Sequence, residues 1–323
     1  MRARRKAMAS PRRHRGIALI TAMLVMALAV IAAAAVLGSA NAAIRRTGTL
    51  IDGERAWWYA DGLETWVISI LKRDREDNDV DSLDENWARP VDYLPVEQGA
   101  LRGHLEDLQG RFNLNNLGSN KPLVYVKQFQ RLFGQIPGLD ASQASAIAEA
   151  IRDWIDVNQV PGGSGGAEDS EYQGLAQPYR TADQALQSPT ELLAIKGVTP
   201  EIYRALAPFV TALPLGGGSA PTPINVNTAK AEVLYSLSDQ IDANKMRTWI
   251  EKQKTEPVDS PQKLQRDGTL PADVTADMVS AKTSYFLMVA EAFIGSGRVA
   301  LYSVVLRPSS GSPIVISRSL DTE

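Results

Sequence analysis

The sharpest change in polarity along the chain lies within its first forty residues. Seven basic residues and no acidic residue precede Gly16, and the 21 residues from Ile17 to Leu37 carry no charge. At about 1.5 Å of rise per residue, this run predicts a helix of roughly 31 Å, enough to cross the core of a bilayer. The excess of positive charge before the run predicts a cytoplasmic N-terminus, with the rest of the chain across the membrane.

Beyond the apolar run, the pattern becomes that of an amphipathic helix. Apolar residues recur in steps of four and three at Ala56, Ala60, Leu63, Val67 and Ile70. This spacing places them on one helical face. Gly38 and Ser39 are predicted to weaken the helix locally. The following segment, 72–89, carries Asp77, Asp79 and Asp81 at alternating positions, and we interpret it as a solvated acidic loop.

Strand-like patterns occur at both ends of the globular region. Short runs at 91–94 and 100–108 precede a long middle region, and β-rich runs at 285–290, 298–306 and 313–317 follow it. Glycine- and serine-rich turns separate the last three runs, which predicts a three-stranded antiparallel meander. A sheet with an apolar face needs a covering layer, and the amphipathic helix supplies it.

The middle of the chain is predicted to be mainly helical. A dense turn motif, Asp107 to Leu117, precedes it, and we interpret this motif as a structural junction. Residues 123–214 have helical patterns, with a helix–turn–helix pair starting at Pro189. After a Gly/Pro/Ser linker, a second helical unit begins at Ile224, where Asn227 or Thr228 is the predicted N-cap.

Composition excludes several functional classes. The chain has no cysteine, so it has neither disulfides nor thiol chemistry. Its net charge is −3, and without the seven positive charges that precede Gly16 it becomes −10. An acidic chain is poorly suited to binding a phosphate backbone. The histidines, His14 and His104, stand apart in sequence, and we find no catalytic signature motif, so we expect no enzymatic activity.

The basic leader, Gly16 and the apolar run together resemble a prepilin-type signal. In that family the prepilin peptidase cuts after the glycine, and the mature chain here would begin at Ile17 and keep its helix. Most pilin-like proteins carry Glu as the fifth mature residue, whereas this chain has Thr21. A subunit that lacks this carboxylate fits the first position of a filament. The alternative is an ordinary signal peptide, cleaved near Ala40-Asn41-Ala42.

Over essentially its whole length the chain resembles the K-type minor pseudopilins of the bacterial type II secretion system (general secretion pathway protein K). The likeness rests on Gly16 with Thr21 and on these motifs: Trp58-Tyr59-Ala60, Asp107 to Leu117, Asp153-Trp154-Ile155-Asp156, Gly166-Ala167-Glu168-Asp169, Pro178-Tyr179-Arg180, Ile224 to Ala229 and the closing strands. The resemblance implies an α+β fold: a pilin-like long N-terminal helix packed on an antiparallel sheet, with a large inserted all-helical domain.

The predicted organisation has six parts. These are a leader peptide (1–16), a transmembrane helix (17–37), the first part of the pilin-like core (38–117), a first helical unit (118–214), a second helical unit (215–270) and the C-terminal strands of the core (271–323). Both helical units resemble helix–hairpin–helix or SAM-like modules.

The resemblance also implies a function. The chain would cap the tip of the pseudopilus, bind the I-type and J-type minor pseudopilins, and help start assembly for protein export. It would sit in the inner membrane with its bulk in the periplasm and carry a methylated N-terminus. The alternative is a membrane-anchored helix–hairpin–helix protein that binds nucleic acid. Against it, the second hairpin turn, 238–242, has no glycine and is acidic, so we expect no nucleic-acid partner.

One acidic stretch has the composition of a cation site. Oxygen-bearing side chains flank the flexible segment 161–166: Asp153, Asp156, Asn158, Glu168, Asp169, Glu171 and Asp183. Brought together they would repel one another, and Ca²⁺, which takes six to eight oxygen ligands, would relieve that repulsion. The K-type family is expected to bind calcium here, although Asn158 replaces a usual acid and Asp183 a common amide. The other interpretation is a solvated acidic loop.

Overall fold

The computed structural model describes residues 15–320. The predicted leader lies outside these residues, apart from its last two positions. One helix, α1, runs from Arg15 to Asp77, and its 63 residues correspond to roughly 94 Å. No proline interrupts it, and Gly38 and Ser39 do not break it: the Ser39 hydroxyl donates back to the carbonyl of Val36 at 2.8 Å. Residues 17–50 of the helix are exposed, as an apolar span free of other protein layers would be.

The remaining elements within residues 78–320 form successive runs of strands and of helices. In chain order they are β1 (Val91–Val96), β2 (Gly99–Asp107), β3 (Phe112–Asn113), α2 (Pro122–Gln135), α3 (Ala144–Ile155), α4 (Asp169–Gln173), α5 (Pro200–Leu206), β4 (Val210–Thr211), β5 (Ile224–Asn225), α6 (Ala231–Tyr235), α7 (Ala243–Lys252), α8 (Pro261–Arg266), β6 (Val279–Ser280), β7 (Tyr285–Ile294), β8 (Gly297–Leu306) and β9 (Ile314–Ser319). Short 3-10 turns lie between them, including Asn86–Ala88 and Pro189–Ala194.

The five-stranded sheet has the order β1-β2-β7-β8-β9, and every neighbouring pair is antiparallel. The predicted meander is confirmed as β7, β8 and β9. Because β2 pairs directly with β7, with Asp107 opposite Phe286, the whole segment 108–284 is an insertion between two adjacent strands. The chain therefore leaves the sheet after β2 and returns to it at β7 at nearly the same point.

Helix α1 covers one face of this sheet. Its predicted apolar stripe is confirmed: Ala56, Ala60 and Val67 are buried, and Leu63 and Ile70 pack against the same core. The buried set also includes Leu71 of α1 and Phe286, Met288 and Leu301 of the sheet. The opposite face of the sheet meets the insertion, where Leu108, Leu213 and Leu287 form a smaller cluster.

The interpretation of residues 72–89 as a solvated loop is wrong at two points. Helix α1 continues to Asp77, and Asp81 is buried. Its carboxylate pairs with Arg307 and accepts a hydrogen bond from the Thr283 backbone N–H at 2.7 Å. A partner 226 residues away explains why a local reading of polarity missed this burial.

The turn motif after β2 is confirmed as a structural junction. The side-chain amides of Asn113, Asn115 and Asn116 each both accept from and donate to the backbone of one distant residue: Leu213, Leu186 and Thr222, respectively. All three asparagines are buried. Such two-way pairs replace backbone ladder bonds and hold irregular chain in place.

The same device replaces the predicted cap in the second helical unit. The prediction that Asn227 or Thr228 caps a helix is wrong, because α6 begins at Ala231 with Lys230 at the N-cap. Asn227 is buried and instead exchanges hydrogen bonds with the backbone of Val258 at 2.9 and 3.0 Å. Thr228 donates to the Asp107 carboxylate at 2.7 Å.

Candidate functional site: an acidic loop after helix α3

The candidate site lies where α3 ends and a glycine-rich loop turns back over it. The amphipathic α3 carries Asp153 in its last turn, and only 2 % of this residue is exposed. Its carboxylate accepts a hydrogen bond from the backbone N–H of Gly162, at 2.9 Å from Oδ2 and 3.1 Å from Oδ1. The helix thus fixes one carboxylate, and the loop closes over it.

Two glycines make this closure possible. A Cβ atom built on Gly166 would lie 2.3 Å from Asp153 Oδ2, and one on Gly162 would lie 2.8 Å from Asp153 Oδ1. At Gly166 the backbone of Gly162 would also lie at 2.4 Å, so the close approach of the loop requires glycine there, whereas at Gly162 only the ends of acidic side chains would have to shift.

Glu168 is the centre of the cluster. Only 1 % of the residue is exposed, and within the described residues neither carboxylate oxygen has a hydrogen-bond partner. Burial raises the pKa of Glu168 to about 7, and the nearby charges of Asp153, Asp156, Asp183 and Asp169 add to this effect. A buried carboxylate without donors is costly. Because a bound cation would satisfy it, the donor set fits a metal ion.

The charges of Asp153, Asp156, Asp169 and Asp183 all act on Glu168, although among the described residues no three acids of this loop bring ligand atoms within 4.8 Å of one another. Asp169 accepts hydrogen bonds from the backbone and hydroxyl of Thr181, and Asp183 accepts from the same hydroxyl at 2.8 Å. The backbone of Asp183 has a positive φ of 50°. Glu171 differs, since its carboxylate is half exposed and pairs with Lys196 at 3.1 Å.

Asp156 and Asn158 shape the outer loop. The Asp156 carboxylate accepts from the backbone N–H of Asn158 at 3.0 Å, and the Asn158 side-chain oxygen accepts from that of Val160 at 2.9 Å. These hydrogen bonds form two consecutive Asx turns at the start of the loop. Asp156 is partly buried, and this burial raises the pKa of its carboxyl group.

Two further residues of the site were not predicted. Glu149 lies one turn before Asp153 on α3, and a Cβ on Gly162 would be 2.8 Å from its Oε2, so both carboxylates face the same glycine. The four-residue spacing of Glu149 and Asp153 is a signal that could have found it. Thr181 links Asp169 to Asp183, and no local pattern indicates that role.

Three aromatic side chains next to the acidic loop form a cluster. The rings of Trp154, Tyr172 and Tyr179 pack within 5.1–6.3 Å of one another between centroids. Tyr172 accepts a hydrogen bond from the Lys196 backbone, and Tyr179 donates one to the Ala194 carbonyl at 2.8 Å. The loop is therefore anchored to the following helical turn by side chains that carry no charge.

A second group of carboxylates lies at the end of α1. Oxygens of Asp74, Asp81 and Glu85 lie within 4.8 Å of one another. Here a protein cation is already present, because Arg307 pairs with Asp74 at 2.8 Å and with Asp81. We interpret this group as an internal ion-pair network that joins helix and sheet.

Comparison with known proteins agrees with this architecture. Two models described as type II secretion system (T2SS), protein K match residues 110–215 and 224–282. The chain is 36 % identical over 338 residues to type II secretion system protein K of Aeromonas hydrophila, covering 96 % of this chain and 98 % of that relative. With the protein of the same description from Pseudomonas aeruginosa, identity is 33 % over 319 residues, covering 96 % and 93 %.

A solved structure has the same fold. It is the crystal structure of the GspK–GspI–GspJ complex from the type 2 secretion system of enterotoxigenic Escherichia coli, with a TM-score of 0.69, 24 % identity, and coverage of 86 % of this chain and 100 % of that one. The resemblance in fold class is thereby confirmed. The chain belongs to the type II secretion system protein K family and is a minor pseudopilin of that system.

Proposed function

We propose that this chain caps the tip of the pseudopilus, binds the I-type and J-type minor pseudopilins there, and helps start assembly for export across the outer membrane. The observation that carries the proposal is that the Thr21 side chain is hydrogen-bonded within its own helix. Its hydroxyl donates to the carbonyls of Ile17 and Ala18, at 3.1 and 3.0 Å, within its own helix. A carboxylate in lipid would need a partner on a neighbouring chain. Thr21 needs none, which suits a subunit with nothing ahead of it.

The proposed maturation follows from the first helix. Prepilin peptidase cuts between Gly16 and Ile17, the new N-terminus is methylated, and α1 stays in the inner membrane. The exposed apolar surface of residues 17–37 supports retention as a single span. The basic residues before Gly16 support a cytoplasmic N-terminus, with the sheet and the insertion in the periplasm.

A structural calcium ion belongs to this proposal. The carboxylates of Asp153, Asp156, Glu168, Asp169 and Asp183 would hold it, with the side-chain oxygen of Asn158. Glu171 joins the set only by giving up its ion pair with Lys196. When bound, the ion supplies positive charge that balances the clustered carboxylates. The protein residues fix the loop that connects α3 to the second half of the first helical unit.

The proposed role is structural and involves neither catalysis nor nucleic acid. The acidic balance of the chain after Gly16 supports this, since a phosphate backbone requires compensating positive charge. The hairpin between residues 194 and 200 contains Gly197 with a φ of +84°, and that glycine packs against Ile147. We therefore assign this hairpin to internal packing.

The tip position can be tested with a Thr21→Glu variant in a strain that lacks the native chain. Filaments of an overproduced major pseudopilin are labelled with antibody against the inserted helical region. We expect the native chain and the Thr21→Ser control to be found only at filament ends. The Glu variant regains the usual shaft carboxylate, so label should also occur along the shaft. Native label distributed along the shaft would contradict the tip assignment.

A further inference from the structure

The insertion, residues 108–284, is attached to the sheet by two chain connections that lie side by side, after Asp107 of β2 and before Tyr285 of β7. We call this place the joint. Parts of a chain that are connected in this way move relative to one another unless a large apolar interface holds them. On the face of the sheet opposite α1, the joint has only the small apolar cluster that includes Leu108 and Leu287. The contacts on the α1 face therefore determine how rigid the joint is.

On the α1 face, the segment that follows α1 reaches into the joint. We call this segment, residues 78–85, the strap. Its central residue is Asp81, of which only 1 % is exposed. The backbone N–H of Asp81 donates to the Ala281 carbonyl at 2.9 Å, and its carboxylate accepts from the Thr283 backbone N–H at 2.7 Å. The same carboxylate pairs with Arg307, which follows β8. One residue thus joins the end of α1 both to the chain that leaves the insertion and to the sheet.

The strap is itself held at both ends. It begins directly after α1, and it is followed by Trp87, whose ring packs edge-on against that of Phe286 in the core beneath α1, at 5.1 Å between centroids. Within the strap, the Glu85 carboxylate accepts hydrogen bonds from the Asn78 side chain at 2.7 Å and from the Ser82 backbone N–H at 2.9 Å. The strap is therefore fixed to helix and sheet, so a rotation of the insertion has to break the contacts that the strap makes with it.

A single buried amide connects the start of the second helical unit to two other parts of the joint. Asn225 of β5 is fully buried, and its Nδ2 donates to the Asp81 carbonyl at 3.0 Å and to the Asp107 carboxylate at 2.8 Å. Asp81 belongs to the strap and Asp107 to the end of β2. Because a buried acceptor that loses its donor is costly, these bonds oppose any rotation that separates the three residues.

We propose that Asp81 and Asn225 hold the insertion at a fixed angle to α1, so that the long N-terminal helix and the insertion move as one rigid body. A displacement of α1 is then passed to the insertion without bending at the joint. Directional hydrogen bonds and an ion pair carry this coupling, and they fix an angle more closely than a small apolar contact does. The inference goes beyond the proposed function, because it concerns contacts within this chain and holds whether or not the chain occupies the tip.

The absence of cysteine allows a direct test in the full chain in detergent. Pairs of introduced cysteines carry spin labels, and double electron–electron resonance measures the distribution of distances between them. Glu54 of α1 and Thr248 of α7 span the joint, whereas Leu123 of α2 and Thr248 lie within the insertion, and all three residues are exposed. We expect narrow distributions for both pairs in the native chain. Asn225→Ala should broaden the Glu54–Thr248 distribution about two-fold and leave the Leu123–Thr248 distribution unchanged.

Asn227→Ala is the matched control for Asn225→Ala. Asn227 is also fully buried, but its side chain bonds to the Val258 backbone within the second helical unit. Its loss should lower stability without broadening the Glu54–Thr248 distribution. Equal broadening in the two variants would mean that any buried asparagine has this effect and would overturn the inference. A broad Glu54–Thr248 distribution in the native chain, or a native width in Asn225→Ala, would overturn it as well.

Asp81→Asn is a second test, and it decides the question if Asn225→Ala does not fold. The substitution keeps the shape of the side chain and removes the charge that pairs with Arg307. At about pH 8.5 the Asp81 carboxyl is ionised, since its pKa is about 7, and we expect the variant to broaden the Glu54–Thr248 distribution there. Asp79→Asn, which removes an exposed pair with Lys282 in the same strap, should not. A native width in Asp81→Asn would overturn the inference.

Discussion

Arg307, the residue after strand β8, donates a hydrogen bond from Nη1 to Asp74 Oδ2 near the end of α1, at a distance of 2.8 Å. The same guanidinium pairs with the buried Asp81. One cation thus serves two carboxylates, and the carboxylate of Glu85 lies close to both. Burial and the charge of Glu85 raise the pKa of Asp74 to about 6. Burial raises the pKa of Asp81 to about 7, against the opposing effect of Arg307.

These pKa values predict how stability depends on pH. Both carboxyls have higher pKa values in the folded chain than the 3.8 expected after unfolding. Between about pH 4 and 7 the folded state therefore binds more protons, and this network's contribution to the free energy of unfolding falls as pH rises. As pH rises from 4 to 7.5, we expect the free energy of unfolding of Asp74→Asn to increase by about 1–3 kcal/mol relative to that of the native chain.

Denaturant unfolding of the detergent-solubilised chain, followed by tryptophan fluorescence, measures this effect. Asp79→Asn is the matched control, because the hydrogen bond from exposed Lys282 lowers the pKa of Asp79 and the sign of its pH effect is opposite. A stability difference between Asp74→Asn and the native chain that does not change with pH would contradict the assignment.

Calcium binding is predicted to depend on Glu168 and Asp153 and much less on Glu171. Glu168→Gln removes the buried charge that faces the other carboxylates, whereas Glu171 is already paired with Lys196. Isothermal titration of the full chain in detergent should show Ca²⁺ binding, lost in Glu168→Gln and Asp153→Asn and retained in Glu171→Gln. The absence of any binding at millimolar Ca²⁺ would end the calcium proposal, and equal losses in all three variants would refute the assigned ligands.

The glycines of the acidic loop should not tolerate a side chain. Gly166→Ala would place a methyl group 2.3 Å from Asp153 Oδ2 and 2.4 Å from the backbone of Gly162, so the loop must open. We expect a loss of roughly 1–3 kcal/mol in stability from this overpacking. Gly217→Ala is the control, since a Cβ there meets nothing within 4 Å. Thermal unfolding measures the midpoint temperature of each variant. Midpoints that are equally lower in Gly166→Ala and Gly217→Ala would disprove the described packing.

Another ion pair holds the last strand to α1. Glu64, which is buried, accepts hydrogen bonds from Arg318 of β9 and, at 2.9 Å, from the Ser303 hydroxyl. The hydrogen bond from Arg318 lowers the pKa of Glu64, so this contribution is lost as pH falls below about 4.5. We expect Glu64→Ala to cost about 1–3 kcal/mol at pH 7, a value reduced for the exposure of Arg318.

The pH dependence of that cost provides the check. Chemical denaturation of Glu64→Ala and of the native chain at pH 7 and pH 3.5 should show a smaller difference at the lower pH. Ser303→Ala, which removes only the hydroxyl, is the milder comparison, at about 1 kcal/mol. A cost for Glu64→Ala that increases at low pH would mean that packing, and not the ion pair, stabilises this contact.

Local periodicity was sufficient to predict the elements that depend on one buried face. The stripe from Ala56 to Ile70 and the strands β7 to β9 follow from apolar spacing, since each element buries a face of its own. Contacts across long sequence separations left no comparable signal. The pairing of Asp81 with Arg307 is an example, because the acid looks solvated until the sheet brings its partner to it. The prediction of Asn227 as a helix cap was wrong for the same reason, because its hydrogen-bond partner is the backbone of Val258, 31 residues away.

The candidate site divides in the same way. The residues proposed as ligands could be selected from the sequence because carboxylates and glycines are concentrated between Asp153 and Asp183. The position of Glu171 could not be predicted, since its ion pair with Lys196 depends on how α4 is oriented. Thr181 was missed because a hydroxyl between two acids gains its role only when the loop closes.

We propose that the apolar N-terminal helix is retained in a pseudopilin that functions in the membrane. Intact mass and N-terminal sequencing of the chain purified from membranes of cells with a working secretion system will show whether it is. We expect a mature protein that begins at Ile17, carries a methylated N-terminus and requires detergent for extraction. A mature protein that begins near Ala43 and is recovered without detergent would overturn this proposal.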